Sequence, residues 1–141
     1  MPPLPEYREN ARRSVVIAGE IDDALVESLT APICRLRSES SDPITVYINS
    51  PGGFIQNAEQ IRHLLKAPTQ EGEVCRTITV ATAKADSAAA GLLALGDYAI
   101  AYPNARVHCH GARLASREIT SQRALDLAQS LKKMMTTLRY V

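Results

Sequence analysis

The stretch Ile44-Thr45-Val46-Tyr47-Ile48-Asn49-Ser50-Pro51-Gly52-Gly53 decides the architecture of this chain. Ile44, Val46 and Ile48 alternate with Thr45, Tyr47 and Asn49, the period-2 pattern of a β-strand rich in β-branched and aromatic residues. Pro51 cannot donate to a ladder, so the strand must end there. Downstream, Ile55, Ala58, Ile61, Leu64 and Leu65 recur at helical spacing through "FIQNAEQIRHLLKA". The glycine pair therefore joins a strand to a helix. Side-chain-free backbone at such a junction lets main-chain N–H groups approach a small, negatively charged group.

Upstream of this stretch, "SVVIAGEI" reads as a first strand, and Asp22 or Asp23 offers an N-cap to a helix carrying Ala24, Leu25, Leu29, Ile33 and Leu36. Pro32 is expected to kink or shorten that helix. Downstream, the loop "KAPTQEGE" leads into "VCRTITVAT", where Val74, Ile78 and Val80 predict a third strand. "AKADSAAAGLLALG" then sets Ser87 at the mouth of a small-residue helix ending at Gly96. "YAIAYPNARVHCH" reads as two short strands joined by a Pro103-Asn104 turn. From Thr120, the spacing of Ala124, Leu125, Ala128, Leu131, Met134, Met135 and Leu138 predicts an amphipathic helix.

Strands alternating with helices predict an α/β layered fold with mostly parallel strands and flanking helices. The expected organisation is a single domain over 1–141, with a flexible N-terminal segment at 1–12 and a C-terminal helix at 120–141. That last helix meets no stop signal, so the chain is expected to be C-terminally incomplete.

A chain of 141 residues that is 45% hydrophobic can bury one core. With no tryptophan and one phenylalanine, that core must come from Leu, Ile, Val and Ala. Sixteen basic against fifteen acidic side chains, without a run of either sign, argue against a nucleic-acid partner. The opening "MPPLPEYRENARR" is polar and proline-rich rather than a secretory signal, and no apolar run approaches the ~20 residues of a membrane span. The expected location is the cytoplasm, with no membrane partner. Cys34, Cys75 and Cys109 are widely spaced and odd in number, which favours buried thiols over disulfides or a zinc knuckle.

Two strand-to-helix junctions, at Gly52-Gly53 and at Ser87-Ala88, have the ingredients of acyl transfer. That chemistry needs a nucleophile, a base within hydrogen-bond reach and donors aimed at a developing oxyanion. Ser87 is the candidate nucleophile, the N–H groups of Gly53 and Ala88 are candidate oxyanion-hole donors, and His110 is the candidate base. The positive end of a helix dipole would also lie where negative charge develops. Plainer readings stand beside these. A serine before an alanine-rich helix is commonly an N-cap, and a glycine pair after a strand is commonly a turn. His108 and His110 alternate on one strand face and would suit a metal pair, but no third ligand is evident, so no metal is expected. Lys84 offers a Ser-Lys dyad or merely a loop cation, and His63 sits on a polar helix face.

The order "IAGEID", "ITVYINSPGG", "AKADSAAAGLLALG", "YPNARVHCHG" resembles the proteolytic subunit of the Clp protease and its phage-type relatives, collinearly from Val15 to about Gly111. The resemblance implies a ClpP/crotonase-like fold and a serine endopeptidase acting on unfolded polypeptides through an acyl-enzyme. In it, Ser87 attacks the scissile carbonyl, His110 takes the proton, and Gly53 and Ala88 line the oxyanion hole. It further implies a homo-oligomeric ring fed by an ATP-driven unfoldase, with no cofactor at the peptidase itself.

Departures from the family pattern mark where this transfer weakens. Ala83 replaces a usual glycine and Ala88 a usual methionine, both leaving the backbone donors intact. After His110 the chain reads "GARLASREITSQRAL" where the family has Gln-Pro and a glycine-rich strand that aligns substrate. The N-terminal segment is shorter than the one that lines the family's axial pore. The family's catalytic aspartate would fall past Val141, and Asp126, the one aspartate after His110, sits among helix-packing positions. Loss of such an acid typically lowers turnover by about 10⁴. The competing readings are a catalytically inactive ring subunit that shapes a chamber, a crotonase-like acyl-CoA enzyme, and a Ser-Lys peptidase using Lys84.

Overall fold

The computed structural model describes residues 7–109. Among them, β1 (Ser14–Ala18), α1 (Asp23–Glu39), β2 (Ile44–Ser50), α2 (Ile55–Lys66), β3 (Thr77–Asp86), α3 (Ala88–Ala94), β4 (Tyr98–Ala101) and β5 (Arg106–His108) follow in order. The five strands form one parallel sheet in the order β1-β2-β3, with both β4 and β5 on the far edge of β3. Parallel pairing requires a crossover between neighbouring strands, and α1, α2 and α3 supply the first three.

Register sorts the side chains into two faces. Val15, Val46, Thr79 and Ala99 form one row, and Ile17, Ile48, Ala81 and Ala101 the next. These rows meet Leu29, Ile33, Leu36, Ile61, Leu65, Leu92 and Leu93 from the helices to make the core. Each such Leu or Ile contributes about 1.5–3 kcal/mol on full burial. Thr79 is a buried polar residue on this face, and its Oγ1 donates to the Leu93 carbonyl at 2.6 Å, tying α3 to the sheet. The opposite face carries Val16, Tyr47, Val80 and Ile100 in one row.

Local chemistry fixes the ends of α1. The Asp22 carboxylate accepts the Leu25 N–H at 2.9 Å, so Asp22 is the N-cap of the two candidates. At the other end, the buried Arg13 guanidinium donates to the carbonyls of Leu36 (3.0 Å), Ser40 (3.2 Å) and Asp42 (2.9 Å), satisfying acceptors the helix leaves over. Pro32 does not shorten the helix, which runs on to Glu39. The carbonyl that loses its partner belongs to exposed Ser28, where water can replace the bond, and the buried stripe of Leu29, Ile33 and Leu36 spans the proline.

Three other details were not foreseen from the sequence. The third strand begins at Thr77 rather than near Val74, which is 48% exposed, and it extends through "AKAD" to Asp86. Along it the register slips: Ile48 pairs with Ala81 but Ser50 with Ala85, so β3 carries two extra residues, and Thr82 Oγ1 donates to the stranded Ile48 carbonyl at 3.3 Å. Below this irregularity β3 pairs with β4, and above it with β5. The Pro103-Asn104 turn is present, with Asn104 at φ 69, but the two strands it joins pair with β3 instead of with each other.

The N-terminal segment is described from Tyr7 on. Tyr7 stacks on Tyr98 with ring centroids 5.0 Å apart, and the Asn10 N–H donates to Thr45 Oγ1 at 3.0 Å. Glu9 accepts the Tyr102 hydroxyl. Cys75 is buried while Cys34 and Cys109 are half-buried, and all three are free thiols. The expected helix at 120–141 lies outside the described residues.

Candidate active site

The first junction is shaped by Ser50, a buried strand-end residue whose Oγ accepts the Gly52 N–H at 3.0 Å. The Gly52 carbonyl then accepts the Ile21 N–H, and the Ile21 carbonyl accepts the Phe54 N–H, both at 2.9 Å. This places Gly53 in a parallel bridge with Ile21, so close that a Cβ on Gly53 would stand 2.2 Å from the Ile21 oxygen. The second glycine is thus required by the protein's own backbone, before any substrate is considered. Gly52, at φ +99, faces the other way: a Cβ there would lie 2.6 Å from the Asp86 oxygen, 2.9 Å from Ser87 Cβ and 3.3 Å from the Ala88 nitrogen. The two junctions are packed against each other through this glycine.

Ser87 occupies the turn from β3 to α3 with φ 57 and ψ −122, a backbone conformation that costs a non-glycine residue about 1–3 kcal/mol. Its N–H donates to the His108 carbonyl at 2.8 Å, and its carbonyl accepts from Ala90 and Gly91. Its hydroxyl makes no capping hydrogen bond to α3. The N-cap reading of Ser87 therefore fails, because an N-cap has extended backbone and an oxygen turned to the helix. Among the described residues, the N–H groups of Gly53 and Ala88 donate to no acceptor. Ser87, Gly53 and Ala88 are thus brought to one place, and His110 lies outside the described residues.

The Clp protease family model matches residues 7–141. The chain belongs to that family. A proteolytic subunit 2 of an ATP-dependent Clp protease from Prochlorococcus marinus (strain NATL2A) is 32% identical over 138 residues, covering 91% of this chain and 66% of that protein. A proteolytic subunit 3 from Synechococcus sp. (strain CC9605) is 33% identical over 106 residues, 73% of this chain and 50% of the relative. A proteolytic subunit from Paracoccus denitrificans is 33% identical over 57 residues, 40% of this chain and 29% of its own length. The chain thus matches no more than about two thirds of these relatives.

In this Clp-family chain the remaining candidates are dispersed. Lys84 stands three residues before Ser87 on β3, opposite Arg106 in the ladder, with no hydrogen bond or ion pair to the serine. His108 lies opposite Asp86 on β5, and His63 is exposed on α2. Burial pushes the Cys109 thiol up, away from thiolate. No helix among the described residues is long and apolar enough to cross a membrane.

Sequence reasoning missed three contributors. Asp86, only 8% exposed, is paired with Arg106 beside Ser87. Its signal was a lone acid in a small apolar run, directly before Ser87. Ser50 shapes the glycine turn through its hydroxyl. Buried Asn57 donates to Asp23 (2.7 Å) and Gln60 (2.9 Å), pinning the start of α2 to the start of α1, and nothing in a helix-spaced polar residue announces that role.

Proposed function

We propose that this Clp-family chain hydrolyses peptide bonds of unfolded polypeptides through an acyl-enzyme on Ser87. The observation that carries the reading is Ser87 itself: a non-glycine residue held at φ 57 with its hydroxyl making no capping bond to α3, against a turn whose Gly53 N–H, like the N–H of neighbouring Ala88, has no acceptor among the described residues. Strain kept at a serine is explained by what its hydroxyl does.

In this mechanism Ser87 Oγ attacks the carbonyl carbon while His110 accepts the hydroxyl proton. The tetrahedral oxyanion is held by the N–H groups of Gly53 and Ala88, each such donor being worth about 10²–10³ in rate. His110 then gives the proton to the leaving amine, and water hydrolyses the acyl-serine by the reverse sequence. The relatives' names, as proteolytic subunits of an ATP-dependent protease, support an oligomeric peptidase working with an ATPase; a homo-oligomeric ring, an unfoldase as that ATPase and a cytoplasmic location are part of the same proposal. No cofactor enters these steps.

A fluorophosphonate probe tests the reading. It is expected to add to Ser87, and Ser87→Ala is expected to remove all labelling. Adducts found elsewhere and never on Ser87 would overturn it. A chain that takes no probe at all would instead be the inactive structural subunit.

A further inference from the structure

β5 spans three residues, and a parallel ladder that short specifies its register weakly through backbone bonds alone. Its register also sets Arg106 directly opposite Lys84, a like-charge pair that opposes the alignment. What offsets this is diagonal. Arg106 reaches Asp86 with both arms of its fork, Nε 3.3 Å from Oδ1 and Nη2 2.5 Å from Oδ2. Asp86 is 8% exposed and needs a partner, whereas Arg106 is largely exposed and brings the charge in from solvent. A planar bidentate fork fixes direction as well as distance, which a point charge does not. A slip of one residue would turn Arg106 toward the face where Ala85 and Val107 pack on the core.

The consequences fall on the site. Asp86 is the residue before Ser87, the Ser87 N–H is bonded to the His108 carbonyl, and His110 follows His108 by two positions. We propose that Asp86 and Arg106 are a positioning pair that sets the register of β5 against the Ser87 junction and so holds the Ser87 hydroxyl in place for attack. This rests on the peptidase reading above. The pair touches no reacting atom and acts through β5, whose His108 carbonyl accepts the Ser87 N–H.

The test uses the full chain and three readouts: the rate of fluorophosphonate labelling, hydrogen exchange at the Ser87 amide, and the thermal midpoint. Arg106→Lys keeps the charge and loses the fork. It is expected to label about ten- to a hundredfold more slowly, the cost of reacting groups misplaced by about 1 Å, with faster exchange at Ser87. The double variant Asp86→Asn/Arg106→Gln replaces the ion pair with an amide pair that can bond across the same gap, and is expected to recover most of the lost rate and protection. It also decides the matter if Arg106→Lys does not fold. Labelling of Arg106→Lys at the wild-type rate, slow labelling with unchanged exchange at Ser87, or a double variant that recovers neither would each overturn the proposal alone. Wild-type chain that takes no probe would overturn the peptidase reading and this one with it.

Discussion

At the end of β2 the backbone turns through Gly52 at φ +99, whereas at the end of β3 it turns through Ser87 at φ 57. Both junctions lead from a parallel strand into a helix, and they touch each other. The first meets its demand at little steric cost, because glycine reaches positive φ freely and leaves room for a neighbouring backbone. The second keeps a side chain where glycine would be easier. The contrast separates two reasons for an unusual backbone: at Gly52-Gly53 the reason is packing, and at Ser87, on the proposed peptidase reading, it lies in the hydroxyl. Each can be probed by exchanging residue types between the junctions.

The largest effect is expected at Gly53. A methyl group there would meet the Ile21 backbone oxygen at 2.2 Å and its nitrogen at 2.7 Å, with no flexible side chain to yield. Gly53→Ala is therefore expected to destabilise the chain by about 3 kcal/mol or more, read from urea unfolding. A loss below about 1 kcal/mol would show that the Ile21 bridge gives way easily, and that packing is not what reserves the position for glycine.

A smaller effect is expected at Ser50. Its hydroxyl holds the N–H of buried Gly52, and Ser50→Ala would leave that donor without a partner. The expected loss is about 1–2 kcal/mol. Labelling of Ser87 should slow as well, because Gly52 is the point at which the two turns are in contact. Full stability with slowed labelling would assign Ser50 to the site alone and sharpen the division between the junctions.

The elements that were legible in the sequence are those whose period is undisturbed. The alternation in "ITVYINS" and the helical spacing in "IQNAEQIRHLLK" correspond to β2 and α2, and the layered parallel class follows from them. The upper half of β3 was not legible, because "AKAD" alternates nothing that a hydrophobic pattern can register and its pairing depends on an irregular register with β2. Nor could a Pro-Asn turn reveal that the strands on either side both choose β3, since partner choice is a tertiary property. At the candidate site, Ser87, Gly53 and Ala88 could be named from the sequence as candidates. What was hidden was the division of labour between the glycines: Gly53 is reserved by Ile21 and Gly52 by Ser87, and both contacts come from residues over thirty positions away in sequence or across a sheet.

The smallest effect runs in the opposite direction and bears most directly on the contrast. Ser87→Gly removes the side chain from a positive-φ position, relieving about 1–3 kcal/mol of strain against a glycine entropy cost of about 0.5–1 kcal/mol. A net gain of about 1 kcal/mol is expected, seen as a rise of roughly 4 °C in the thermal midpoint. Ser87→Ala retains a Cβ at φ 57 and so retains the strain, and its midpoint should stay near that of the wild type. The two variants lose probe labelling equally yet differ in stability, which separates the hydroxyl from the backbone. If neither gains stability, the turn at Ser87 is relaxed, and the serine would need no functional reason to be there.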